Sequence, residues 1–281
     1  MQNIRLLAFS SSRTGNSGYL EFVAPYVKEF VGDKNLTIAF IPFAAADGDY
    51  ETYAKKVREA LSKQFNVVTV THDNAVEVIN TADVIIIGGG NTFKLLHDLY
   101  QTKAIEAIKQ KVNNGTPYIG WSAGSNICGR TICTTNDMPI IDPGSFDALQ
   151  FLPFQINPHY YNVTIEGFNG ETRDQRLQEF LMLNPDVPVV ALPEGTALML
   201  DNGILEMKGG DGFILSNENG EMQKKIFHKD SQRDRDTQRM PLCIFVILCA
   251  SLWNNFPKLA ARWISLLFQQ ESTARRIFQL L

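Results

Sequence analysis

Cysteine is scarce in this chain of 281 residues: Cys128, Cys133, Cys243 and Cys249 are the whole supply, and no two form a Cys-x-x-Cys pair. A disulfide framework is excluded at that density, and a reducing cytoplasm is the expected setting. Histidine is equally rare, at positions 72, 97, 159 and 228, and no His-Glu-x-x-His arrangement occurs. Metal-dependent hydrolysis would therefore lack its ligands, and no metal or other cofactor is expected. An excess of basic charge is missing too, since 26 Lys and Arg against 30 Asp and Glu leave a formal net charge of −4. Such a chain has no field for nucleic acid or an anionic membrane, and no such partner is expected. The first residues run straight into a strand-like apolar stretch, without the longer apolar segment and small-residue cleavage site of an export signal. The apolar run 241–253 falls short of the ~20 residues that span a bilayer. Small molecules or peptides are the partners that remain.

The composition, 44% hydrophobic and 20% charged, suits a globular chain with one large core or two modest ones. Short runs rich in β-branched residues, at 4–10, 36–43, 66–71, 82–87, 117–120 and 187–192, alternate with stretches of helical periodicity at 19–30, 50–64, 92–100 and 103–113. This is a βαβ pattern. The runs 84–87 and 187–192 are almost continuously apolar, as expected of central parallel strands covered on both faces. The expected fold is α/β, a mostly parallel sheet flanked by helices on both faces, with its chemistry in the loops after the strands. Near Phe227 the character changes: 229–239 is strongly polar, then comes the short apolar run, then Asn254, Asn255 and Pro257 interrupt it. Residues 1–230 are read as the catalytic domain and 231–281 as a tail outside the core. A docking helix, an interfacial membrane segment and sequence foreign to the ancestral domain are its three readings; the last is preferred because the α/β domain looks complete before it.

Gly120-Trp-Ser122-Ala-Gly124 matches the Gly-x-Ser-x-Gly elbow, in which glycines let the chain turn sharply from strand to helix and present the serine hydroxyl. A strand precedes Ser122 and a short helix, 123–128, is expected after it, so amide donors would lie beside the nucleophile. The bland alternative is a glycine-rich turn with a capping serine. A serine nucleophile needs a base, and His159, in Gln155-Ile-Asn-Pro-His-Tyr-Tyr-Asn162, is the histidine whose loop best suits that role. The imidazole needs an orienting acid: Glu194 stands at a strand end after Leu192-Pro193, and Asp137, before Met138-Pro139, is the competitor. Each carboxylate has a simpler reading as a turn former or solvated group. The order Ser122, His159, Glu194 departs from that of α/β-hydrolases and parallels the nucleophile, His, Glu order of class I glutamine amidotransferase-like, flavodoxin-like folds. For the oxyanion, the loop Gly88-Gly89-Gly90-Asn91 supplies unhindered amides from Gly89 or Gly90 to pair with that of Ala123. A phosphate-binding reading of this loop is weaker, because neither dinucleotide nor P-loop spacing is present.

Seven blocks, in order, carry a wider likeness: Ile87-Gly-Gly-Gly-Asn-Thr-Phe93, Tyr118-Ile-Gly-Trp-Ser-Ala-Gly124, Thr134-Thr-Asn-Asp-Met-Pro-Ile140, Phe146-Asp-Ala-Leu149, Gln155-Ile-Asn-Pro-His159, Gly170-Glu-Thr-Arg173 and Leu192-Pro-Glu-Gly195. Together they resemble the peptidase E family of α-aspartyl dipeptidases, over roughly residues 1–228. The resemblance implies that Ser122 is the nucleophile, His159 the base and Glu194 the orienting acid, with Asp137 as an alternative relay or as a substrate-site acid. It implies dipeptide substrates with a free N-terminal aspartate, whose carboxylate would meet the guanidinium of Arg173, with Asn91 also at the substrate. Two rivals stand beside it: a cyanophycinase-like peptidase acting on aspartyl groups of a polymer, and a sensor that keeps the fold without the activity.

Overall fold

The computed structural model describes residues 4–32, 35–61, 65–163, 166–167, 169–229 and 240–241. In chain order the elements are β1 (Leu6–Phe9), α1 (Val23–Val31), β2 (Thr37–Ile41), α2 (Tyr50–Ala60), β3 (Asn66–Thr69), α3 (Ala75–Thr81), β4 (Val84–Ile87), α4 (Thr92–Gln101), α5 (Ala104–Asn113), β5 (Tyr118–Trp121) and α6 (Ala123–Asn126). They continue as β6 (Gln155–Asn157), α7 (Arg173–Leu183), β7 (Val189–Ala191), β8 (Ala197–Asp201), β9 (Ile204–Lys208), β10 (Gly212–Glu218), β11 (Glu221–Phe227) and β12 (Met240–Pro241). The main sheet has the order β12-β9-β8-β1-β5-β4-β2-β3. From β1 to β3 its neighbours pair in parallel. From β1 to β12 they pair antiparallel.

Helices cover the main sheet on both faces, as the alternation requires. Leu7, Phe9, Val84, Ile86, Ile119 and Trp121 point to one side, where they pack with Val23, Val27 and Phe30 of α1 and Ala54 and Val57 of α2. Their neighbours Leu6, Ala8, Ile85, Ile87 and Tyr118 face the other side, with Ala75 and Ile79 of α3, Leu95 and Leu99 of α4, and Ile105 and Ile108 of α5. The expected mostly parallel α/β fold with flanking helices is what the chain adopts.

A second sheet, of order β11-β10-β7-β6, holds the run 187–192. That run was expected in the centre of the main sheet; instead β7 pairs in parallel with β6 and antiparallel with β10. Its continuous apolarity has a different cause. Val190 and Leu192 face the main core, while Val189 and Ala191 pack with Leu177 and Leu181 of α7. The strand is thus covered on both faces without belonging to the main sheet. Helix α3 and strands β8 to β11 were not anticipated. The tail after Asp230 lies outside the described residues, apart from Met240 and Pro241, whose backbone pairs with Leu205 and Ile204 of β9.

Candidate active site

Ser122 sits between β5 and α6 at the carboxyl end of a central parallel strand, with φ 54° and ψ −114°. For a residue with a Cβ this is a strained backbone, of a kind that costs about 1–3 kcal/mol. Two glycines hold it in place. A Cβ on Gly120 would meet the Gly124 carbonyl oxygen at 2.4 Å, and one on Gly124 would meet that of Ile87 at 2.3 Å. Ser125 ties the elbow further, its Oγ donating to the carbonyls of Phe9 at 2.6 Å and Gly120 at 2.9 Å.

His159 follows β6, and Glu194 follows the adjacent parallel strand β7. The imidazole Nε2 lies 2.9 Å from Ser122 Oγ, and Nδ1 lies 2.9 Å from Glu194 Oε1. An ionised carboxylate can only accept, so Nδ1 carries the proton and the lone pair of Nε2 faces the serine hydroxyl. Ser10, buried at the end of β1, joins the two supporting strands: its Oγ donates to the Leu192 carbonyl at 2.7 Å and accepts the His159 amide at 2.9 Å. His159, like Ser122, has a positive φ, 51°.

Asp137 is placed elsewhere. Its Oδ2 accepts from the amide of Thr92 at 2.7 Å, from Thr92 Oγ1 at 2.6 Å and from Thr135 Oγ1 at 3.1 Å. The carboxylate therefore sits at the N-terminus of α4, where the helix dipole favours negative charge. Asn91 caps the same helix, accepting from the Lys94 amide at 3.0 Å, and its amide group donates to the Met138 carbonyl at 2.8 Å. The structure thus brings Ser122, His159 and Glu194 together and gathers Asp137 and Asn91 at the base of α4.

The loop before α4 lies against Ser122. A Cβ on Gly89 would come within 2.9 Å of Ser122 Cβ, and one on Gly90, whose φ is 139°, within 2.2 Å of the Ala44 carbonyl oxygen. Among the described residues the amides of Gly89, Gly90 and Ala123 donate to no acceptor of the fold. Gly89, Gly90, Ser122 and His159 line a cavity of about 430 Å³ together with Arg13, Tyr19, Asp47, Asp49, Tyr53 and Lys56. Arg13 rests on the Tyr19 ring at 5.9 Å. Arg173 does not line this cavity. It opens α7, half-buried, and burial, with Arg176 nearby, lowers its pKa from the usual arginine range. Asp174, beside it, binds Tyr160 and Lys224 and so ties α7 to the loop after His159 and to β11.

Sequence reasoning passed over Ser10, Arg13, Tyr53 and Lys56. Ser10 carried a signal, a serine at the carboxyl end of a strand on the active edge. Arg13 lies in the loop after β1, and Tyr53 and Lys56 on a helix face, where nothing local tells a site residue from a packed or solvated one.

A flavodoxin-like α/β core whose strained serine is hydrogen-bonded through histidine to glutamate, beside free backbone amides, defines a serine hydrolase of the acyl-transfer kind. The profile of peptidase family S51 matches residues 6–208, and the chain belongs to that family of serine peptidases. It is 51% identical over 218 residues to peptidase E of Haemophilus influenzae (strain ATCC 51907), covering 76% of this chain and 99% of the relative. It is 46% identical over 227 residues to peptidase E of Nostoc, covering 80% of this chain and 93% of the relative. A crystal structure from Listeria monocytogenes EGD-e, 24% identical, shares the fold with a TM-score of 0.58 over 73% of this chain and 98% of its own. Among the described residues no helix is long and apolar enough to cross a membrane.

Proposed function

We propose that the chain hydrolyses dipeptides with a free N-terminal aspartate, through an aspartyl ester on Ser122. The observation that carries this reading is the hydrogen-bonded series Ser122, His159, Glu194 opening on the 430 Å³ cavity. That volume is near the small end of the ~300–1,000 Å³ typical of ligand pockets, a size that suits a dipeptide better than a polymer. The substrate carries two carboxylates and one ammonium. Arg13 and Lys56 in the cavity wall, and Arg173 at the head of α7, have no carboxylate in an ion pair among the described residues. On the resemblance of the Gly170–Arg173 block to that family we assign the aspartyl side chain to Arg173; Arg13 and Lys56 share the cavity wall with Asp47 and Asp49, so the wall offers partners to the substrate's carboxylates and to its ammonium.

In this mechanism His159 Nε2 takes the Ser122 proton as Oγ bonds to the carbonyl carbon of the aspartyl residue. The carbonyl oxygen becomes an oxyanion held by the amides of Gly90 and Ala123. The carbon–nitrogen bond then breaks, and the His159 proton passes to the leaving amine. Water, deprotonated by His159, attacks the ester, and the proton returns to Ser122 as aspartate departs. Glu194 fixes the imidazole tautomer and stabilises its cation. Asp137 acts by holding α4 and its glycine loop.

The test is hydrolysis of Asp-Leu beside Glu-Leu and N-acetyl-Asp-Leu, in the presence of EDTA, with Ser122→Ala as control. Selective cleavage of Asp-Leu, abolished in the control, is the expected result. A folded protein that leaves Asp-Leu intact overturns the reading and favours the polymer-directed enzyme or the sensor.

A further inference from the structure

Gly88, Gly89 and Gly90 follow β4 in succession. A peptide unit between two glycines has no Cβ on either side to oppose its rotation, so sterics alone do not decide which way its amide points. In a trans peptide the C=O and N–H groups point in opposite directions. Whatever holds the Gly89 carbonyl therefore aims the Gly90 amide.

That holder is present. Tyr53, on α2, donates its hydroxyl proton to the Gly89 carbonyl at 3.0 Å and accepts from Trp121 Nε1 at 3.1 Å. Trp121 is the residue before the nucleophile and stacks on Phe40, against which the Tyr53 ring also packs edge-on. The indole N–H occupies the acceptor side of the hydroxyl, leaving its single proton for Gly89. Downstream the chain is already fixed, since the Asn91 amide donates to the Ala44 carbonyl at 2.8 Å. Of the two units between glycines, the Gly89–Gly90 peptide is the one whose carbonyl is held by a side chain. Burial raises the Tyr53 pKa, so the group stays a donor across the working range.

We propose that Tyr53 is a positioning residue for the reaction: by gripping the Gly89 carbonyl it turns the Gly90 amide into the cavity, where it receives the oxyanion. This rests on the acyl-transfer role of Ser122 but not on the preference for aspartate. A flipped peptide would present a carbonyl oxygen to the developing negative charge, opposing the transition state and leaving substrate binding largely untouched.

Tyr53→Phe removes the hydroxyl alone. Two rates are measured: acylation by p-nitrophenyl acetate, followed as the burst of nitrophenolate and indifferent to aspartate recognition, and turnover of Asp-Leu. Both the acylation rate and kcat should fall by about tenfold or more, with the ~10²–10³-fold that loss of an oxyanion donor produces as the upper bound, and with KM changed by less than about threefold. Affinity for an aminoboronate bearing the aspartyl side chain, which places a tetrahedral oxygen in the same position, should fall in parallel with kcat. Acylation at the wild-type rate, or a rise in KM at unchanged kcat, would overturn the proposal. If the wild type is acylated yet leaves Asp-Leu intact, the substrate reading fails by itself and the acylation arm still decides the role of Tyr53. Should Tyr53→Phe not fold, Trp121→Phe, which frees the tyrosine hydroxyl to rotate, takes its place; a threefold or greater loss of kcat at constant KM is then expected, and wild-type kcat counts against the proposal.

Discussion

His159 Nδ1 meets one carboxylate, and that carboxylate is half exposed: the Glu194 side chain retains 56% of its accessible surface and that of His159 retains 40%. Solvent at the pair screens the attraction between glutamate and the developing imidazolium, so the charge of Glu194 matters less than that of a sequestered acid. Glu194→Gln should lower kcat by roughly 10²-fold, against the ~10⁴-fold that the same kind of change causes in a buried triad. The measurement is kcat for Asp-Leu with KM alongside, and a variant within threefold of wild type would remove Glu194 from the relay. The elbow at Ser122 was legible in the sequence because its constraint is local: a serine at positive φ needs the flanking Gly120 and Gly124, and these stand two residues to either side. The choice between Glu194 and Asp137 was not legible, since both are single carboxylates in turns near strand ends or prolines. What separates them is long-range, the parallel pairing of β6 with β7 that sets His159 beside Glu194.

At the level of elements, α4 carries the glycine loop, and its N-terminus is held from outside by the segment 134–138. Asp137 Oδ2 accepts the first helical amide and two threonine hydroxyls, doing for α4 what a capping carboxylate does from within its own helix. Asp137→Asn keeps an acceptor oxygen but loses the charge facing the helix dipole. It should lower stability by about 1 kcal/mol, read as a fall in Tm, and reduce kcat by less than about tenfold. A loss of 10² or more with unchanged Tm would instead make Asp137 part of the relay. Helix α4 itself was plain from its apolar spacing; its external cap was invisible, because residues 92 and 137 are joined only by the fold. The same limit explains strand β7. Its apolar run announces coverage on both faces, yet cannot say that α7 and the main core do the covering. Strands β8 to β11 escaped notice because their alternation is mixed: β11 is mostly exposed and buries only Phe227.

Taken whole, the molecule places every residue of the proposed reaction in the span from Ser10 to Glu194, and the family profile ends at residue 208. Two sheets share a core, so β10 and β11 belong to the structure that holds His159 and Glu194: β10 pairs with β7 over Leu215 to Val189 and Phe213 to Ala191, and Lys224 of β11 reaches Tyr160 and Asp174. Beyond Lys229 the described chain contributes only the backbone pairing of Met240 and Pro241 with β9. Strand β9 keeps its pairing with β8 on its other side through five residue pairs, and Leu205 and Met207 remain packed in the main core. We therefore propose that a chain ending at Asp230 folds and works without residues 231–281. Its kcat/KM for Asp-Leu should stay within about twofold of the full chain, and its Tm should fall by no more than the few degrees that one short edge pairing contributes, about 1 kcal/mol in a protein of this size. Loss of activity, or a cooperative transition that disappears on truncation, would make the tail part of the catalytic domain and move the boundary from residue 230 to beyond β12.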